Sequence, residues 1–195
     1  MKKVTEMYRK LFFDYHMSAQ IKEILNGFDA EKWAKQLADA KVEAVSVFLR
    51  CGFGYKYYQN GKYGRKHPHL GNKDLVEDTI RECHKRDIKV IGYYNPWYSE
   101  YDLENHPENC RTNEKGETVS REVCPNNPIF ENELLPQVTE IAQMFDLDGM
   151  FFDCVFMGKD RVCHCNYCKD KFRKETGFEN IPISDSDPGY KEYVA

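Results

Sequence analysis

No apolar run in this 195-residue chain approaches the roughly 20 residues needed to span a bilayer. Its start, MKKVTEMYRKLFFDYH, has neither the long apolar region nor the small-residue cleavage site of a secretory signal. The reading is therefore a cytoplasmic chain with no membrane partner. Proline is scarce at 8 residues and glycine modest at 12, which with 41% hydrophobic residues excludes collagen-like and disordered chains. Positive charge is not in excess either: 28 Lys and Arg face 32 Asp and Glu, a net charge of −4. A nucleic-acid partner is set aside, because binding a phosphate backbone draws on counterion release by a cationic surface.

Aromatics and cysteine, by contrast, are plentiful. Thirteen Tyr, 12 Phe and 2 Trp make 14% of the chain. Tyrosines beside Gly, Asn and Pro suit a cleft that stacks on flat ligand faces while offering hydroxyls, and the phenylalanines are assigned to the core. Of 8 Cys, four crowd between Cys154 and Cys168. In a chain without secretory context that crowding points to a metal rather than to disulfides.

Short apolar runs alternate with amphipathic stretches, and the alternation repeats four times. The strand-like runs are Leu11 to Met17, Val42 to Leu49, Ile88 to Tyr94 and Leu147 to Asp153. The helical stretches follow an N-cap at Asp29 with Trp33, Leu37 and Ala40 on one face, then span Asp74 to Arg86, Glu133 to Phe145, and Lys169 to Thr176 before Gly177. Another helix opens at Tyr190. Two long loops, Cys51 to Asn72 and Pro96 to Pro128, are of a length that usually carries function. The basic run Lys56 to Lys66 reads as a solvated loop, as do His67 and His69.

Strands joined by helical crossovers lie parallel, so the choices are an open doubly wound sheet or a (β/α)8 barrel. No Gly-rich phosphate loop follows the first strand, and each strand delivers polar groups at its C-terminal end, where barrel active sites assemble. The fold class is α/β: four parallel βα units, one incomplete domain over residues 1–195, the N-terminal half of a TIM barrel of about 250 residues. An unpaired half-barrel exposes two sheet edges, so an oligomer or association with the missing half is expected.

Cys163, Cys165 and Cys168 can converge on one tetrahedral ion, which needs a fourth ligand. Cys124 is the first choice, with Cys110, Cys154 and His164 as competitors; a closed thiolate sphere leaves no place for a catalytic water, so such a zinc is structural. Asp153 emerges at a strand end, in a position suited to a glycosidase nucleophile, or else caps the next loop or pairs with Arg50. Asp14 and His16 lie two residues apart and point the same way along a strand. Arg50, Tyr94, Asn95 and Trp97 would surround the same cleft, with Trp97 stacking on a sugar ring. Asp146 and Asp148 sit at the strand's start and receive no catalytic role.

The chain resembles the N-terminal half of the barrel in glycoside hydrolases of the hypothetical glycosyl hydrolase 6 kind and of α-amylase-like and α-L-fucosidase-like barrels. The resemblance is carried by LFFDYHMS (11–18), HPHLGNKDLVEDTIRECHKRDIKVIGYYN (67–95) and LDGMFFD (147–153), the second being similar also to family 29 fucosidases. The cysteine segment is similar to that of family 42 β-galactosidases, which carry Cys-Pro-Asn-x-Pro, then Cys-x-Cys-x-x-Cys and a Phe four residues on; the matches are Cys124, Cys163, Cys165, Cys168 and Phe172. That resemblance implies zinc at the four cysteines. Where family 42 ends its fourth strand in Asn-Glu this chain has Phe152-Asp153, which departs from β-galactosidase and implies the nucleophile role of fucosidase-like barrels for Asp153.

The resulting expectation is a retaining glycoside hydrolase acting on a carbohydrate, with the acid/base on a later strand outside the chain. Asp14, His16, Arg50, Tyr94, Asn95 and Trp97 would bind the sugar. Two other readings are a zinc-stabilised, non-catalytic carbohydrate-binding half-barrel and a hydrolase such as a deacetylase with a catalytic metal on Asp14, His16 and Asp153.

Overall fold

A computed structural model describes residues 3–155 and 162–194. After a 3-10 turn (Val4–Glu6) come β1 (Lys10–Leu11), α1 (Ala30–Asp39), β2 (Ala44–Arg50), and two two-residue strands, β3 (Tyr55–Lys56) and β4 (Arg65–Lys66). Next are α2 (Leu75–His84), β5 (Lys89–Tyr94), α3 (Glu100–Asn105) and a second 3-10 turn (Pro107–Asn109). A hairpin, β6 (Cys110–Thr112) and β7 (Thr118–Val123), precedes a π-helical turn (Phe130–Leu134) that runs into α4 (Leu135–Met144). β8 (Gly149–Phe152), α5 (Asn166–Thr176) and α6 (Tyr190–Val194) complete the order.

β1, β2, β5 and β8 lie side by side and parallel, as the βα alternation requires. All seven residues of β2 are buried: helices cover one face, and on the other Phe48 lies against Phe12, Tyr15 and Tyr93. The helices begin where the N-caps stand: the Asp29 carboxylate accepts from the Lys32 N–H and that of Asp74 from the Glu77 N–H, both at 3.0 Å, each worth about 1 kcal/mol. Gly177, at φ +79°, ends α5 in the left-handed conformation.

The first strand is shorter than the apolar run Leu11 to Met17 implies. Beyond Leu11 side chains replace the ladder: the Phe48 N–H donates to the Tyr15 hydroxyl at 2.9 Å, and the Met17 N–H to that of Tyr57 at 3.2 Å. The loop after residue 96 is also not irregular throughout, since it contains α3 and the β6–β7 hairpin. Buried Arg111 pairs with Glu122 across that hairpin and donates to the Val162 carbonyl at 3.1 Å. Among the described residues no helix is long and apolar enough to cross a membrane.

The basic loop is built rather than merely solvated. Lys56 is buried, and its Nζ donates to the carbonyls of Asn60, Gly61 and Tyr63 at 3.2, 3.0 and 2.9 Å. The Glu140 carboxylate on α4 accepts from the N–H groups of Lys62 (2.6 Å) and Tyr63 (3.2 Å). His67 likewise departs from the solvated reading: it is wholly buried, with Nε2 at 3.2 Å from the Ser18 carbonyl and Nδ1 accepting from the His69 N–H.

Burial holds the His67 imidazole below its ordinary pKa, against the bond to Ser18. The unfolded chain takes up a proton below about pH 6.5 that folded His67 refuses, so this residue makes stability fall on acidification. His67→Gln, which keeps a donor for Ser18, should therefore lose less urea midpoint between pH 7.5 and 5.5 than the parent; parallel losses would show that His67 does not set the slope.

Candidate active site

β5 decides which side chains reach the concave face of the sheet, because successive residues of a strand point to opposite sides. Ile91 and Tyr93 line a cavity of about 880 Å³ there, together with Phe12, Asp14, His16, Ser46, Phe151 and Asp153. Tyr93 stacks on Phe48 of β2 with ring centroids 3.9 Å apart. That stack fixes the tyrosine against the neighbouring strand, leaving its hydroxyl at the cavity's upper end.

Asp153 follows β8 directly, and its N–H donates to the Tyr94 carbonyl at 3.0 Å, extending the ladder by one residue. Its Oδ2 accepts from the Tyr93 hydroxyl at 2.6 Å and from Asn95 Nδ2 at 3.4 Å; Oδ1 has no hydrogen-bond partner among the described residues. Burial and the bond to Asp153 push the Tyr93 hydroxyl pKa well up, so it remains a protonated donor. One carboxylate oxygen is thus held, in a residue that lines the cavity. Asp153 forms no ion pair with Arg50 among the described residues.

Asp14 and His16 do come together, as their spacing implies: His16 Nε2 lies 3.2 Å from Asp14 Oδ1, and its Nδ1 accepts from the Gly52 N–H at 3.1 Å. A side-chain bond to Cys51 leads the effects that raise the His16 pKa, with Asp14 adding to them against desolvation. Burial opposes a Cys51 thiolate, but bonds from His16, the Tyr57 hydroxyl and backbone N–H groups outweigh it and hold the thiol below its ordinary range.

Three expected cleft residues are elsewhere. Tyr94 shares β5's other face: it is fully buried, with its hydroxyl donating to Gln137 Oε1 at 2.8 Å. Arg50 would share the face of Phe48, but the pairing skips a residue between them, so Phe48 lies opposite Tyr93 and Arg50 opposite Tyr94. This irregularity turns Arg50 out of the cleft. Trp97 is 3% exposed, too enclosed to stack on a sugar. Asn95 plays two parts: Oδ1 accepts from the N–H groups of Trp97 (3.0 Å) and Tyr98 (2.8 Å), shaping the turn, while Nδ2 reaches Asp153. Tyr93 was missed by sequence reasoning, although the two-residue period of β5 separates it from Tyr94. Asp148, at the strand's start, also lines the cavity at Asp153, but its carboxylate is taken up by Lys89 (2.6 Å) and His84 (2.8 Å).

The sulfurs of Cys124, Cys163, Cys165 and Cys168 all lie within 4.8 Å of one another. Four thiolates about 2.3 Å from a tetrahedral ion stand about 3.8 Å apart, so this donor set could hold a metal ion. Cys124 follows β7, whereas the other three lead into and begin α5, so the cluster joins the hairpin to that helix. Of the competitors, Cys110 pairs opposite Val123 in the hairpin and His164 donates its N–H to the Thr112 carbonyl; neither belongs to the group, nor does Cys154. Bonds from neighbouring thiols, Cys124 first, hold Cys163 below the ordinary thiol range, while Cys124 is pushed up by the same contacts. Among the described residues Asp14, His16 and Asp153 form no comparable ligand group, which removes the support for a catalytic metal there.

Four neighbouring parallel strands, with a carboxylate at the end of the last, form an α/β arrangement of the kind on which barrel enzymes place their active sites. More particularly, the chain belongs to the hypothetical glycosyl hydrolase 6 family, whose model matches residues 29–154. Among solved structures it is similar to α-L-fucosidase isoenzyme 2 from Paenibacillus thiaminolyticus, at 26% identity and TM-score 0.77 over 96% of this chain and 27% of that one. A hypothetical protein from Ruminiclostridium thermocellum matches at 16% identity and TM-score 0.54, over 78% of this chain and 79% of that one. The Thermotoga maritima α-fucosidase in complex with fucose matches at 15% and 0.50, over 69% and 31%. These last two show the fold alone. The chain thus spans about a quarter of the Paenibacillus enzyme's length. Comparison with curated proteins finds no match.

Cobalt(II) added to the reduced protein should give the intense visible bands of a tetrahedral thiolate site, saturating at one ion per chain, and Cys124→Ser should weaken or abolish them. Octahedral, weak absorption in the parent would show that the four sulfurs do not close on an ion.

Proposed function

We propose that this chain is the N-terminal part of the catalytic barrel of a retaining glycoside hydrolase, with Asp153 as nucleophile and α-L-fucosides as the leading substrate class. The observation that carries the reading is the Asp153 carboxylate: rigidly placed at a strand end, held through Oδ2 by Tyr93, in a residue that lines a large cavity. Oδ1 attacks the anomeric carbon as the bond to the leaving oxygen breaks, forming a glycosyl ester that water then cleaves. Asp14 and His16 line the same cavity and bind sugar hydroxyls, and Asn95 helps hold the nucleophile. The fucoside preference rests on likeness to the Paenibacillus α-L-fucosidase.

The carboxylic acid that protonates the leaving oxygen, about 5 Å from the nucleophile in a retaining enzyme, is assigned to a later strand beyond these residues. The state of the concave face supports this: Phe12 is 49% and Phe151 46% exposed, an apolar surface suited to the remaining strands of a barrel. A structural zinc at the four cysteines fits both the donor chemistry and the sulfur spacing. Its closed thiolate sphere would fasten the hairpin after α3 to α5 and would offer no place to a catalytic water. Eight cysteines without a disulfide suit a reducing compartment such as the cytoplasm.

A glycosyl fluoride needs no acid for its leaving group to depart, so the nucleophile can be tested in this chain without the missing residue. With a 2-deoxy-2-fluoro-α-L-fucosyl fluoride, peptide mass spectrometry should find the sugar ester on Asp153, no ester in Asp153→Asn, and about tenfold slower labelling in Tyr93→Phe, the size of one lost hydrogen bond. Sugar binding without any ester would favour the non-catalytic carbohydrate-binding reading, and an ester on another residue would remove Asp153 from the mechanism.

A further inference from the structure

We propose that a cationic groove beside the candidate active site takes an oxyanion, a sulfate ester or a carboxylate, carried by the same glycan whose scissile end lies at Asp153. This deepens the glycosidase reading and rests on it. The groove begins at Arg50. Turned out of the main cleft, Arg50 is 3% exposed and lines a separate cavity of about 450 Å³. Its Nη1 donates to the carbonyls of Asn95 and Tyr98, the latter at 3.1 Å, and Asn95 in turn reaches Asp153 through Nδ2 at 3.4 Å. The two cavities therefore flank one turn, and a glycan with a residue at Asp153 can cross that turn into the second.

Arg65 forms the opposite wall. Its guanidinium lies 4.0 Å over the Tyr101 ring, and it also lines an adjoining cavity of about 540 Å³ with Lys62 and Lys66. Among the described residues none of these four cations has a carboxylate within ion-pairing distance. Three acids lie nearby. Asp102 is buried and engaged by Ser99 and by Asn109 Nδ2, Glu108 faces His106 at 3.4 Å, and Glu133 borders both cavities. Against the four cations these three acids leave the lining of the two cavities net positive by one, and the Glu140 carboxylate beneath is taken up by the N–H groups of Lys62 and Tyr63.

The loop is held chiefly by other groups. Lys56, the buried member of the same basic run, already gathers three carbonyls, and Glu140 already ties the backbone at Lys62 and Tyr63 to α4. The exposed side chains of Lys62, Arg65 and Lys66 stand on a braced loop; Arg65 packs over Tyr101 and Lys66 donates to Gln59 Oε1 at 3.0 Å, yet none of the three charges is neutralised by an ion pair among the described residues. A planar guanidinium with a flanking ammonium suits a sulfate or carboxylate group. A nucleic-acid strand fits less well, since the stacking face of Tyr101 is covered by Arg65.

The test is calorimetric binding to the full chain, at fixed ionic strength, of a sulfated fucan oligosaccharide, its desulfated form, an oligouronate and a polyuridylate of matched charge. Lys62→Gln/Lys66→Gln and Arg65→Met alter exposed residues, and unchanged melting would confirm their folding. The sulfated fucan or the oligouronate should bind at least tenfold more tightly than the desulfated chain, whichever of the two wins identifying the oxyanion, and both variants should erase most of that preference while Asp153→Asn leaves it. Equal affinity for the desulfated form, indifference to both variants, or equally tight polyuridylate binding would each overturn the proposal. A sugar ester on Asp153 with no anion preference would fail this proposal alone. An anion preference with no ester would fail the glycosidase reading and leave an acidic-glycan site.

Discussion

The stacking of Tyr93 on Phe48 across β5 and β2 is the contact on which the candidate site depends. It is made possible by parallel pairing in one register, Val45 opposite Val90 and Phe48 opposite Tyr93, and it aims the Tyr93 hydroxyl at Asp153. Because the period of a strand is two, a one-residue slip would present Tyr94 instead and bury the phenolic donor that reaches Asp153. Gly92 belongs to the same constraint. A Cβ there would lie 2.5 Å from Leu49 Cδ1 and 2.9 Å from Leu147 Cδ1, so a side chain at this position would push those leucines aside.

Above the sheet, two long connections are organised by different chemistry. The first is held by charge against backbone: Lys56 gathers carbonyls, and Glu140 gathers N–H groups. The second is held by the hairpin, its buried Arg111–Glu122 pair and the thiol cluster, around which Phe172 and Ile181 close a small apolar core separate from the main one. Both devices brace loops at the C-terminal ends of the strands, where a barrel places its chemistry. Rigid surroundings are what a nucleophilic carboxylate and a cation-lined groove both require.

The concave face remains the least covered part of the molecule. Leu11, Phe12 and Phe151 are exposed along it, while the opposite face of the sheet packs against the helices through residues such as Val76, Ile80 and Ile141. A helix-packed face, with Phe152 exposed at its edge, and an apolar open face are what the proposed partial barrel would present.

Much of this was legible in the residues themselves. Four apolar runs with intervening amphipathic stretches determine parallel βα units, since local periodicity and caps such as Asp29 and Asp74 are properties of contiguous chain. The same holds for Cys163, Cys165 and Cys168, whose spacing is short enough to converge without help from the fold. Tertiary structure alone decided which side of β5 faces the cleft, that an irregularity after Phe48 sends Arg50 outward, and that Trp97 and His67 are enclosed. Each of those depends on register or on contact between segments tens of residues apart, and pairing energy across such distances leaves no periodic trace in the sequence.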